Sequence, residues 1–250
     1  MPGVLGLRYR RQHEQATVDS LSTVADPTEH EAINVYLTPV GDADDRRFSL
    51  LDALLRDANQ AMDGGSVWLG ASGLLIAIEQ LGKTVQERGS SAARNGSERA
   101  FRAALIDFAP GLEYPTAGAL YALRCSLVHS FGLTNPNSDS DKHHVFALTR
   151  SGPVVRFPEV EWDGTVGGTN ALEMTTVVNI EALRDLTESC VARARELNDL
   201  GELDLAPGMT PERVFAERLM RIVPLEAIGH KVYSLPSDPS TGASVTGGTI

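Results

Sequence analysis

The chain is short of cysteine, aromatics and net positive charge, and each shortage closes off a class of protein. Cysteine occurs twice in 250 residues, as Cys125 and Cys190. Two isolated thiols, neither in a C-x-x-C pair, argue against a disulfide scaffold and point to a reducing, cytoplasmic setting. Aromatics make up 6%, so the core has to come from Leu, Val, Ile and Ala. The net charge of -11 argues against a surface built for non-specific nucleic-acid binding but leaves room for a small basic site. No long apolar run is present. The best candidate, residues 67–78 (VWLGASGLLIAI), is ended by Glu79 and falls short of the roughly 20 residues that a bilayer span needs. No membrane association is expected. The start, MPGVLGLRYRRQHEQ, lacks the charged-then-apolar order of a secretory leader, and no repeat of fixed period is visible.

What is present is mostly helical periodicity. Residues 1–40 read as a loose N-terminal arm carrying a short strand at 33–40 (INVYLTPV), where Val and Tyr favour extension and Pro39 ends it. Phe48, Leu51, Leu54, Leu55, Ala58 and Met62 recur at three- and four-residue steps and predict an amphipathic helix stopped by Gly64-Gly65. A second helix over 67–88 is apolar nearly all round at first and therefore central. Gly70 and Gly73 in it allow a neighbour to come close. Further helices are predicted over 98–108 and 117–131, the latter with Leu120, Leu123, Leu127, Val128 and Phe131 in one apolar stripe. After a polar loop, 144–149 and 153–157 read as strands of a hairpin turning at Ser151-Gly152. A strand at 173–180 and a helix over 181–200 follow. Thr210 and Pro211 are expected as cap and first residue of a last short helix. The polar end, 234–250, reads as a disordered tail. The expected architecture is mainly α: a helical bundle spanning 41–233, with a small β-hairpin-containing insertion at about 143–180 before the last long helix.

Familiar catalytic signatures fail. Gly70-Ala71-Ser72-Gly73 is not G-x-S-x-G, and the glycines at 164, 167 and 168 lack the Lys-Ser/Thr of a P-loop. Asp42, Asp44 and Asp45 read as a polar lead into a helix. A metal-dependent hydrolase using Asp139, Asp141, His143 and His144 is a further class, but adjacent histidines on a strand point to opposite faces. Neither a metal nor a cofactor is expected.

There remains LYALRCSLVHSFGL, residues 120–133, an apolar helix pattern holding Arg124 and His129. His can exchange a proton near neutrality, and Arg can hold a phosphate in its planar fork. Together they could cleave RNA without a metal, the 2′-hydroxyl attacking its own phosphate. Five residues of α-helix turn through about 500°, however, leaving the two side chains about 140° apart. Spacing alone equally suits a histidine facing the helix dipole and an arginine paired with an acid on a neighbouring helix. Tyr121 shares the face of Arg124, and Ser126 is the nearest small polar group.

The same segment resembles the late-helix motif of the HEPN superfamily, Arg followed after four to six residues by His on a helix of a compact four- or five-helix bundle. The resemblance is specific over about a dozen residues. It implies a homodimer in which Arg124 and His129 of two copies meet in a cleft; Tyr121 and Ser126, though Ser126 points elsewhere on the helix, are the candidate binding residues nearby in sequence. It implies a metal-independent endoribonuclease acting on RNA or, alternatively, a non-catalytic module for dimerisation or for binding a nucleotide or protein. It implies no sequence recognition of DNA.

Overall fold

The computed structural model describes residues 27–38, 47–136, 143–164 and 173–221. Within them the chain is a mainly α-helical bundle with a small mixed sheet set before the last long helix. The tail at 234–250 and the aspartates at 42, 44 and 45 lie outside the described residues.

Helix α1 (Glu29–Leu37) stands where a strand was expected. Its start explains the difference. The Thr28 hydroxyl accepts from the Glu31 amide, and the Glu31 carboxylate accepts from the Thr28 amide, a reciprocal capping box that satisfies two of the donors a helix start leaves open. Ala32, Ile33, Tyr36 and Leu37 then fall on one side and are buried. That burial outweighs the β preference of Val35 and Tyr36.

The strand β1 (Arg47–Ser49) leads into helix α2 (Leu50–Asp63), capped by the Ser49 hydroxyl. Helix α3 (Val67–Thr84) is central, packing on α2 and on the three helices that follow it. Close approach is what its glycines provide. A Cβ on Gly73 would stand 2.8 Å from the Ala58 Cβ of α2, and one on Gly82 only 2.0 Å from the Ala100 carbonyl oxygen. Ala100 belongs to helix α4 (Ser97–Phe108). The strand β2 (Val85–Glu87) takes the place of the last turn expected of α3, pairing with β7 (Leu203–Leu205). The loop after β2 is fixed by a buried ion pair, Arg94 with Asp107. Asp107 also accepts from the Glu87 amide and the Ser90 hydroxyl, so this buried charge has the several partners it requires.

Helix α5 (Tyr114–Cys125) runs into a π-helical turn, Ser126–Ser130. Beyond it come β3 (Thr134–Pro136), β4 (His143–Thr149), β5 (Val155–Arg156) and β6 (Thr175–Asn179), hydrogen-bonded in the order β3-β4-β6-β5. The hairpin expected at Ser151-Gly152 does not form. β6 lies between β4 and β5, parallel to the first and antiparallel to the second. Two pairs of strands consecutive in sequence are antiparallel, β5 with β6 and β3 with β4, the latter with Pro136 opposite His143. Helix α6 (Ile180–Asp199) closes the core with Leu183, Val191, Ala194 and Leu197. Thr210 caps helix α7 (Pro211–Glu217), as its Thr-Pro start predicts, and β8 (Leu219–Arg221) pairs antiparallel with β1.

Candidate functional site

The end of α5 is where chemistry-bearing side chains meet. Arg124 and His129 are 2.6 Å apart, Nη1 to Nε2. The 140° of a regular helix is removed by the π-turn, whose i→i+5 bonding brings residues five apart onto one side. The Phe131 amide donates to the Ser126 carbonyl in that pattern. The local cause lies one turn earlier. The Ser126 hydroxyl donates back to the Ala122 carbonyl, which also accepts from the Asn135 side chain. Side-chain bonds of this kind intrude on the helical ladder and bend it.

Beneath the pair sits Glu79 of α3, its side chain 2% exposed. Its Oε2 is 2.7 Å from Arg124 Nε. The contact is one of charge, since neither atom has an aligned hydrogen bond. The other carboxylate oxygen receives the Lys83 ammonium, one helical turn on, and Lys83 also donates to the Ser97 hydroxyl, 3.0 Å away. One buried carboxylate thus faces two cations, and the local balance is positive in a chain that is acidic as a whole. Glu79 holds Arg124 by Nε while Nη1 reaches His129, and Nη2 has no hydrogen bond among the described residues. Arg124 is 11% exposed at its side chain, whereas His129 is exposed. The Nε2 atom of His129 can accept from a guanidinium only when it carries no proton.

The other two residues singled out from the sequence do not join this contact. Ser126 is buried, and its hydroxyl is spent on Ala122. Tyr121 packs its ring at 5.6 Å from that of Phe101. Its phenol is pushed up to about 12 by burial, helped by the neighbouring Cys125, so it keeps its proton at neutral pH. Phe131, expected in the apolar stripe, is instead 80% exposed, because the π-turn ends there and reverses the chain. Both cysteines are free thiols.

Of the alternative metal-binding residues, the two described histidines take separate partners. His143 stacks on Trp162 at 4.7 Å, and His144 Nδ1 lies 2.9 Å from the Thr176 hydroxyl. Asp139 and Asp141 lie outside the described residues. Among the described residues no three His, Cys, Asp or Glu side chains converge as metal ligands, and no helix is long and apolar enough to cross a membrane.

Sequence reasoning passed over Glu79 and Lys83. The signal was there: a lone carboxylate inside an apolar helix, four residues before a lysine, is rarely buried without a cationic partner.

No family model, no curated protein and no solved structure matches this chain.

Proposed function

We propose that the protein is a metal-independent endoribonuclease of the HEPN type, cutting RNA at a cleft where two copies bring their Arg124 and His129 together. The observation that carries this reading is the 2.6 Å approach of Arg124 to His129 across the π-turn. It supports the likeness in the feature the sequence left open, the direction of the two side chains. Glu79 orients the guanidinium, and orientation by a fixed partner is what a catalytic cation requires. In the reaction the 2′-oxygen forms a bond to the adjacent phosphorus and the bond from phosphorus to the 5′-oxygen breaks. A neutral imidazole takes the proton of the 2′-hydroxyl, and an imidazolium returns one to the leaving 5′-oxygen. The guanidinium meets the charge that gathers on the non-bridging oxygens. The products are a 2′,3′-cyclic phosphate and a 5′-hydroxyl. Two unpaired thiols support a reducing, cytoplasmic location for it.

The test is cleavage of a defined single-stranded RNA in the presence of a chelator. His129→Ala and Arg124→Ala each abolish cutting while circular dichroism stays unchanged; cutting that survives both removes the reading. A second reading, a non-catalytic binding or dimerisation module, is favoured by the Glu79–Arg124 ion pair, which already occupies part of the guanidinium. It predicts no cutting by the wild type under any ionic condition.

A further inference from the structure

The π-turn ends in a residue that its own fold would not choose. Phe131 has φ +47°, and among the described residues it is the one non-glycine with positive φ. A left-handed residue at a helix end is ordinarily glycine, which meets no Cβ penalty there. Gly132 is the very next residue, yet it is the phenylalanine that takes the strained position. The ring is not compensated by burial either, being 80% exposed. The amides of Phe131 and Gly132 both donate to the Ser126 carbonyl, so the turn holds the ring outward. Strain that the fold sustains without a packing return collects at sites of function.

The position of the ring says which function. Phe131 is two residues beyond His129, so their Cα atoms are at most about 7 Å apart. That is within the span of one nucleotide, from phosphate to base. The geometry points to Phe131 as a stacking platform for a nucleobase next to the phosphate held by Arg124 and His129. The substrate class is then single-stranded RNA, whose unpaired bases can turn out to meet an aromatic face. Duplex RNA is disfavoured, because its bases are stacked on one another. This inference rests on the ribonuclease reading and adds to it a subsite for the base.

The test uses the full chain and two probes. Binding is measured with a labelled 2′-O-methyl single strand, which lacks the attacking hydroxyl and stays intact. Cleavage is measured with the unmodified strand. Phe131→Ala and Phe131→Leu are expected to weaken binding about ten- to hundredfold and to raise KM for cleavage with kcat little changed. Phe131→Trp retains binding, and a Leu variant that binds as well as Trp overturns stacking. If the wild type binds and cuts and Phe131→Ala does both equally well, the subsite is wrong and the ribonuclease reading stands. If the wild type neither binds nor cuts, both are wrong. If Phe131→Ala converts a dimer to monomer in sedimentation while binding per chain is unchanged, the ring meets a second copy and the inference is overturned.

Discussion

Helix α3 makes two contacts only three residues apart, and they are held by opposite means. At Gly82 it meets α4 backbone against backbone, with no space for one methyl. At Glu79 it meets α5 through charge, a buried carboxylate between Arg124 and Lys83. The steric contact tolerates nothing added, and its polar bond, from Arg94 Nη1 to the Gly82 carbonyl, uses backbone that any residue supplies. The ionic contact tolerates changes of shape but requires both signs. The difference teaches that the bundle is located by its small residues and the candidate site by its carboxylate, so the two can be damaged separately.

Substitutions can test that separation. Gly82→Ala is expected to have the largest effect on stability, about 3 kcal/mol lost, because the obstructing atom is a backbone oxygen that cannot swing aside. A lowered denaturant midpoint with an unchanged slope checks it, and a loss below about 1 kcal/mol would show that α4 yields easily. Glu79→Gln should cost less, about 2–3 kcal/mol, since Lys83 is one-third exposed and keeps its solvent, while Arg124 keeps its buried position without a counter-charge. If RNA cutting is present in the wild type, this variant should lose most of it, whereas a variant at the steric contact should lose activity only as it unfolds.

Alkaline titration gives a smaller effect. Burial pushes the Cys190 thiol up to about 12, and Tyr121 likewise rises to about 12. Above pH 9 an unfolded chain releases these protons first, so it binds fewer than the native state, and stability falls as pH rises toward 12. Cys190→Ala should flatten that decline; an unchanged slope would place its origin elsewhere. Least of all should His129→Ala disturb the fold, within about 0.5 kcal/mol for an exposed side chain. A loss of 2 kcal/mol in thermal unfolding would mean that the imidazole is structural.

How much of this could be read in the sequence depended on the range of the interaction. Helices α2, α4 and α6 follow from local periodicity, and Thr210-Pro211 announces α7. Helix α1 was also announced, by Thr28 and Glu31, but the β-branched content of INVYL hid it. The partner of β5 could not be read locally. Val155 and Arg156 pair with Val178 and Val177, more than twenty residues away, and Ser151-Gly152 supplied a turn signal without the pairing. At the site, the types of Arg124 and His129 were legible and their approach was not. It depends on a hydroxyl, Ser126, and an amide, Asn135, converging on one carbonyl. Glu79 was concealed by its surroundings, since an apolar run reads as core whether or not it carries one acid.

The pairing of β1 with β8 has a consequence for synthesis. Residues 47–49 find their neighbours at 219–221, and α1 packs against α7, so the first and last described segments fasten each other. Helix α1 meets β1 and α2 soon after it is made, but its contacts with α6, β7 and α7 wait for segments far along the sequence. Closure of so wide a loop comes late and slowly, and in that interval part of the apolar face of α1 stays uncovered.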